Sequence, residues 1–194
     1  FIYFDIGGVL MDYSKAMQPL AEKHNLTLDD FQKIYLTYAE AAERGDMTLQ
    51  EVWEAYEKEL GIKADDGFDF LEYWTENVLP IEENHRTLIE LSKSHPVGIL
   101  SNMYSGAFYK LLKKGKIPDV EYSRIVQSHE LKFIKPQEDI YIIAQSVSGF
   151  KPSDIIYIDD KKDFVDFARI LGWNGIWYEK ENGVNLKKAL AELL

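Results

Sequence analysis

Four short segments of this sequence combine reactive side chains with residues that suit a ligand-binding backbone. In the first, residues 1–8, an apolar run ends at Asp5 and two glycines follow. The run is rich in aromatic and β-branched residues and is too short for a buried helix, so it predicts a buried strand. Asp5 would then lie at the carboxyl end of the strand, where open parallel sheets bind ligands. The glycines would let the backbone approach such a ligand closely.

The second and third segments offer groups that suit an anion. Ser101 and Asn102 follow the apolar run 97–100, and a hydroxyl with free backbone amides at the start of a helix suits a phosphate oxygen. Lys135 directly precedes Pro136, which favours an extended backbone just before a helix begins. We therefore expect Lys135 to be a positive charge held in a fixed place.

The fourth segment doubles the acidic chemistry, because the apolar run 155–158 ends in Asp159 and Asp160. Two adjacent carboxylates at the end of a buried strand repel each other and lose solvation. A hard cation such as Mg²⁺ would relieve both costs. Without a cation, the pair would need other hydrogen-bond donors.

The elements that must position these segments alternate between strands and helices. Helical patterns and strand-like runs are both present: helices at 104–114, 137–147 and 163–171, and strands at 1–5, 97–101, 124–127, 155–159 and 175–178. Strands that alternate with helices indicate βαβ crossovers and a parallel sheet covered on both faces. The prediction is an α/β protein with a Rossmann-like parallel sheet.

Residues 14–80 break this alternation. They contain no convincing strand, and helical patterns cover 28–43 and 49–60 within them. Apolar and aromatic residues recur at helical spacing in both patterns, and Thr48 with Glu51 spells a capping box. We expect these aromatic stripes to pack a core rather than to line a ligand site. The predicted organisation is a helical cap, 14–80, inserted into an α/β core made of 1–13 and 81–194.

Composition narrows the function classes. The chain of 194 residues has a net charge of -11, which argues against a nucleic-acid-binding surface and requires any phosphate site to concentrate positive groups. The absence of cysteine excludes a disulfide framework, a thiolate metal site and a cysteine nucleophile. No apolar run is as long as a membrane span and no secretory signal is visible, so we expect a cytoplasmic protein without membrane contact.

The order Asp5, Ser101, Lys135, Asp159–Asp160, with one motif at each strand end, resembles the four motifs of the haloacid dehalogenase superfamily, whose members are mostly phosphatases. The resemblance covers the whole chain, because the predicted cap follows the first motif, as the small helical cap of that family does. The run Phe-Asp-Ile-Gly-Gly-Val-Leu is most similar to the branch that contains sugar-1-phosphate phosphatases and the phosphatase half of soluble epoxide hydrolases.

The resemblance implies a Mg²⁺-dependent phosphomonoester hydrolase that acts on a small phosphorylated metabolite, with sugar phosphates as candidates. Asp5 would be the nucleophile and would form an aspartyl-phosphate. Mg²⁺ would bind the Asp5 carboxylate, the backbone carbonyl of Gly7 and the Asp160 carboxylate, with Asp159 near by.

The resemblance also implies how the phosphoryl group is held. Ser101, the backbone amide of Asn102 and Lys135 would contact its oxygens and neutralise charge as the transition state forms. In the cap, residues 43–46 are similar to an Arg-Gly-acid segment of this branch. Arg44 would there close over the substrate; an exposed residue at the end of a helix is the other interpretation.

Some positions depart from the family pattern. Gly7 stands where the usual phosphatase has a second Asp as general acid, and loss of such a group typically costs about 10²–10⁴ in rate. Asp12 is close enough in sequence to substitute, although a turn-capping role is the favoured interpretation. Phe164 stands where the family often has Asn or Asp beside the metal, and Lys132 where Gly is common.

Two other functions stay open at this point. A metal-free hydrolase of carbon–halogen bonds would use Asp5 on carbon and would not need an acid at Gly7. The adjacent Asp159 and Asp160 argue against it, because crowded carboxylates gain nothing without a metal. The third hypothesis is a non-catalytic protein that binds a phosphoryl group or a partner.

Overall fold

The computed structural model describes residues 1–178 and 185–194. Its strands are β1 (Ile2–Phe4), β2 (Met11–Asp12), β3 (Leu79–Pro80), β4 (Val97–Ser101), β5 (Arg124–Gln127), β6 (Ile156–Asp159) and β7 (Asn174–Trp177). Five of them form a parallel sheet in the order β5-β4-β1-β6-β7. The predicted α/β fold with a parallel sheet is therefore confirmed.

The register of the sheet brings the sequence motifs to one edge. Strand β1 is central, and Phe4 lies level with Ile99 of β4 and Ile158 of β6. The next residue of each strand therefore shares one level, and Asp5 emerges between β4 and β6. Strands β4 and β5 are added on one side of β1, and β6 and β7 on the other. Open α/β sheets bind ligands at the point where the strand order changes side in this way.

Helices cover both faces of the sheet. They are α5 (Glu82–Leu91), α6 (Ala107–Lys113), α7 (Ser128–Leu131), α8 (Glu138–Ser148), α9 (Lys162–Ile170) and α10 (Leu186–Ala191). Successive residues of β1 enter different hydrophobic clusters, with Ile2 and Phe4 in one and Tyr3 in the other. Because side chains of a strand alternate between faces, a continuous apolar run is what a sheet covered on both faces requires.

The helices α1 (Gln18–His24), α2 (Leu28–Arg44), α3 (Leu49–Leu60) and α4 (Phe70–Asn77) lie between β2 and β3 and form the cap. Thr48 and Glu51 make the predicted capping box at the start of α3, and Thr27 with Asp30 makes another at α2. The helices share a hydrophobic cluster that is separate from the two clusters of the sheet.

The two chain crossings between core and cap are held together by a short antiparallel pair. Met11 of β2 pairs with Pro80 of β3, and Asp12 pairs with Leu79. The sequence pattern did not predict these strands, because two residues carry no periodicity. Among the described residues, no helix combines the length and the apolar character that crossing a membrane would require.

Candidate functional site

Lys135 lies between two carboxylates at the carboxyl edge of the sheet. Its Nζ is 2.9 Å from Oδ1 of Asp5 and 2.6 Å from Oδ2 of Asp159, and it donates a hydrogen bond of 3.1 Å to the carbonyl of Leu100. All three charged side chains are buried. The Asn102 side chain fixes the lysine backbone, since the Lys135 amide donates to Oδ1 of Asn102 at 2.8 Å. The structure thus holds the positive charge in one place beside Asp5.

The two adjacent aspartates at the end of β6 have different surroundings. Asp159 is fully buried, and its carboxylate accepts hydrogen bonds from Lys135, the Tyr157 hydroxyl and the Lys161 amide. Asp160 is only partly buried and lines a cavity. Asp159 is thus engaged in positioning Lys135, whereas Asp160 offers its carboxylate to the cavity.

The charges in this cluster are out of balance. Burial raises the pKa of Asp5 to about 6, although Lys135 opposes the rise. Burial and then the charge of Asp5 raise the pKa of Asp160 to about 7. Burial lowers the pKa of Lys135, but Asp159 and Asp5 outweigh burial and hold that pKa above its ordinary value. Asp5 and Asp160 therefore lack part of the positive charge that would keep them ionised at neutral pH.

A divalent cation fits this imbalance. Asp5, Asp159 and Asp160 each offer an oxygen atom, and these oxygens lie within 4.8 Å of one another. Oδ1 of Asp5 is buried, and the Lys135 ammonium 2.9 Å away is the positive charge beside it. Carboxylate oxygens are the ligands that Mg²⁺ prefers. Together with Gly7, which lines the same cavity, these residues fit a magnesium site.

Gly8 is required by the close approach of backbone to Asp160. Its φ is +71°, and a Cβ atom there would lie 2.3 Å from Oδ2 of Asp160. Any larger residue would be strained and would push the carboxylate away. The glycine after Gly7 therefore preserves the acidic cluster.

The predicted phosphate-binding residues Ser101 and Asn102 make different contacts, since Ser101 is hydrogen-bonded to Asp5 and Asn102 to Lys135. Ser101 is buried at the end of β4 and is not among the residues that line the cavity. Asn102 lines the cavity, and its side-chain amide donates a hydrogen bond of 3.0 Å to Oε2 of Glu43 in the cap. Asn102 therefore connects the cap with the backbone of Lys135.

In the cap, Glu43 and not Arg44 faces the cavity. Arg44 pairs with Glu40 and lies 3.9 Å from Asp46, and it is not among the lining residues. Sequence reasoning did not select Glu43, although it stands seven residues after Leu36, a spacing that returns to the same helix face. Glu43 and Arg44 are consecutive in α2, so their side chains point in directions that differ by roughly 100°.

A cavity of about 570 Å³ lies between the acidic cluster and the cap. The expectation that the aromatic stripes only pack a core is wrong for part of α2. Phe31 is buried in the cap core and also lines the cavity. Leu28, Tyr35 and Leu36 of the same helix line the cavity too. Tyr56 of α3 likewise serves both purposes. One apolar face of a helix can pack the cap core along one edge and line the cavity along the other, because the face is broad enough to contact both.

The departures from the family pattern have local explanations. Tyr13 occupies the space beside Gly7, where a Cβ would lie 3.1 Å from Cε1 of the ring. Asp12 accepts a hydrogen bond of 2.9 Å from the Ser14 amide, which is the contact expected of an aspartate that caps a turn. Phe164 has the Nζ of Lys135 at 5.2 Å and that of Lys161 at 4.9 Å from its ring centroid, so the ring stabilises two cations.

Lys132 has a left-handed backbone with φ of 64°, which explains why Gly is common at such a position. Its Nζ donates a hydrogen bond of 2.6 Å to the carbonyl of Gly45 and lies 3.2 Å from Oδ1 of Asp46. Lys132 thus joins the loop that carries Lys135 to the end of α2.

Comparisons with known proteins agree on one family. The sequence model of the haloacid dehalogenase-like hydrolases matches residues 2–176. A search of curated proteins found no match.

Three solved structures illustrate the similarity of the fold. A HAD family enzyme from Bacteroides thetaiotaomicron, in complex with magnesium and inorganic phosphate, is 19% identical over 96% of each chain, with a TM-score of 0.75. A predicted HAD-like hydrolase from Porphyromonas gingivalis is 20% identical over 99% of this chain and 96% of the other, with a TM-score of 0.74. An L-2-haloacid dehalogenase from Xanthobacter autotrophicus, with chloropropionic acid covalently bound, is 18% identical over 98% and 86%, with a TM-score of 0.70.

At these identities the solved structures establish the fold, whereas the family model covers most of the chain and carries the assignment. The order of the motifs and the cluster at the carboxyl edge of the sheet agree with it. The chain belongs to the haloacid dehalogenase-like hydrolase family.

Proposed function

We propose that this enzyme is a Mg²⁺-dependent phosphomonoester hydrolase that acts on a small phosphorylated metabolite in the cytoplasm. The observation that carries the proposal is the cluster at the end of β1. Asp5 lies 2.9 Å from the Lys135 ammonium and close to the carboxylate of Asp160 in one cavity. A nucleophile, a fixed cation and a candidate metal ligand are the parts that phosphoryl transfer requires.

The reaction follows from these positions. A carboxylate oxygen of Asp5 attacks phosphorus, the bond from phosphorus to the leaving oxygen breaks, and the electron pair departs with that oxygen. Lys135 and the backbone amide of Asn102 stabilise the charge on the phosphoryl oxygens. Water then attacks the aspartyl-phosphate, which releases inorganic phosphate and restores Asp5. Bound Mg²⁺ would supply positive charge to the phosphoryl oxygens.

The leaving oxygen receives no proton from position 7, because Gly7 has no side chain. A placed general acid typically contributes about 10²–10⁴ in rate. We expect this enzyme to hydrolyse esters whose leaving group is stable as an anion, and to act slowly on simple alkyl phosphates.

Two observations bear on the alternatives. The solved Bacteroides enzyme with magnesium and phosphate supports phosphatase chemistry, whereas the Xanthobacter dehalogenase shares the fold and supports attack of Asp5 on carbon. The acidic cluster favours the phosphatase, since three carboxylates within 4.8 Å suit a metal-dependent reaction. A role limited to binding, with no turnover, is the third hypothesis.

The test measures phosphate release from acetyl phosphate and p-nitrophenyl phosphate, with Mg²⁺ or with EDTA. Neither leaving group needs a proton, so neither assay depends on the missing acid. We expect turnover that requires Mg²⁺ and is lost in Asp5→Asn, while Asp66→Asn, an exposed cap residue outside the cavity, behaves as wild type.

Each alternative has its own signature in the same experiment. Halide release from 2-chloropropionate without metal would establish a dehalogenase. Binding of beryllofluoride without turnover of any ester would establish a binding role. Phosphate release by Asp5→Asn at the wild-type rate would refute the nucleophile assignment.

A further inference from the structure

The cap side of the cavity is built largely from aromatic and apolar side chains. Helix α2 contributes Leu28, Phe31, Tyr35 and Leu36, and other elements add further rings, among them those of Tyr56, Phe70, Trp74 and Tyr104. Leu36 and Tyr13 line this space while being 66% and 44% exposed, so the apolar surface continues to the mouth. A volume of about 570 Å³ is in the usual range of small-molecule sites.

Several polar groups on this wall are bonded to each other. The Tyr35 hydroxyl donates a hydrogen bond of 3.2 Å to Oε1 of Glu43 and is also bonded to the Tyr104 hydroxyl. Oε2 of Glu43 accepts a hydrogen bond from Asn102. A sugar would have to break these bonds to pair its hydroxyls here, and a lost partner leaves a buried polar group that costs about 1–3 kcal/mol.

An independent observation concerns the leaving group. Gly7 supplies no proton, and the ring of Tyr13 fills the space beside it. A phenolic oxygen is a stable anion, unlike the alkoxide of a sugar, and leaves without a general acid. The wall and the missing acid therefore favour the same class of molecule.

We infer that the substrate is an aryl phosphomonoester, with its phosphate at Asp5 and Lys135 and its ring against Leu36, Tyr35 and Tyr56. This inference rests on the proposed phosphatase function and narrows its substrate class from small metabolites in general. It stands against the sugar phosphates that the sequence resemblance suggests.

The test compares esters with matched leaving groups. Phenyl and 2-naphthyl phosphate release alcohols of similar acidity, so a difference between them reports ring contact. Benzyl phosphate and glucose 6-phosphate both release primary alcohols. We expect kcat/KM to be about tenfold higher for 2-naphthyl than for phenyl phosphate, and for benzyl than for glucose 6-phosphate. Glucose 6-phosphate at or above the rate of benzyl phosphate would overturn the inference.

A binding measurement separates this inference from the proposed function. In Asp5→Asn, calorimetry should show benzylphosphonate binding about tenfold more tightly than methylphosphonate, whether or not the wild type hydrolyses esters. Equal affinities would overturn the aromatic site. Failure of acetyl phosphate to turn over would refute the phosphatase and, with it, the aryl ester as a substrate, whereas the calorimetric result would still decide whether the cavity has an aromatic site.

A variant pair tests which wall holds the ring. Leu36→Gln changes an exposed side chain that the cap fold tolerates, and should lower the ratio of 2-naphthyl to phenyl kcat/KM by about threefold. Ile142→Gln, on the exposed side of α8 and outside the cavity, is the matched control and should leave the ratio unchanged. An unchanged ratio in Leu36→Gln would overturn the assignment of the ring to the α2 wall.

Discussion

The substitution Asp160→Asn tests whether the acidic cluster opposes folding when no metal is bound. The carboxylates of Asp5, Asp159 and Asp160 lie within 4.8 Å of one another, and Lys135 pairs with the first two. Asn removes the charge of Asp160 and keeps nearly the same shape. We therefore expect the metal-free variant to be more stable than the wild type at alkaline pH.

The magnitude follows from the pKa. Burial and the charge of Asp5 raise the pKa of Asp160 from 3.8 to about 7, roughly three units, or about 4 kcal/mol at 1.36 kcal/mol per unit. Because the side chain is partly exposed, solvent screening reduces this to about 1–2 kcal/mol. Because the pKa of Asp160 is higher in the folded than in the unfolded protein, the metal-free wild type keeps this part of its free energy of unfolding below about pH 4. It loses that part as the pH rises through about 7.

The assay is urea unfolding of wild type and Asp160→Asn in EDTA, at about pH 8 and again at about pH 5. The variant should exceed the wild type by about 1–2 kcal/mol at the higher pH, and the difference should shrink at the lower pH. Mg²⁺ should stabilise the wild type, by about 2.7 kcal/mol at a hundred times its dissociation constant, and should have much less effect on the variant.

Lower stability of the metal-free variant at alkaline pH would refute the reasoning, since the carboxylate would then have a favourable partner. Equal stabilisation of both proteins by Mg²⁺ would remove Asp160 from the metal site. Asp66→Asn, at an exposed position of the cap, controls for a general effect of removing one negative charge from a protein of net charge -11.

Three further substitutions follow from the same geometry. Gly8→Ala should raise at least tenfold the Mg²⁺ concentration that gives half of the thermal stabilisation, because the new Cβ would meet Asp160 at 2.3 Å. An unchanged half-maximal concentration would contradict this. Gly7→Asp should raise kcat for alkyl phosphates by about 10²-fold and for aryl phosphates far less, once Tyr13 moves aside; equal effects on both esters would count against the missing-acid argument. Lys135→Met should destabilise the protein by about 3–5 kcal/mol in urea unfolding, because Asp159 would stay buried without its cation; a loss below about 1 kcal/mol would show that the pair contributes little.

The sequence alone determined the sheet and the order of its motifs. Short apolar runs that end in charged or polar residues, such as those before Asp5 and Asp159, can be read locally, because buried parallel strands need continuous apolar side chains. The capping box at Thr48 was equally local, since its partners stand three residues apart. Motif order and a whole-chain resemblance then predicted the family.

Tertiary structure alone decided which groups share the site and what the cavity offers a ligand. Asp159 accepts hydrogen bonds from Lys135 while Asp160 faces the cavity, a division that adjacency in sequence does not reveal. Glu43 faces the cavity although Arg44 was the predicted residue, because the packing of α2 fixes the rotation of the helix. The aromatic stripe of α2 lines the cavity because the cap lies over the sheet edge, and such a contact between distant segments leaves no local signal.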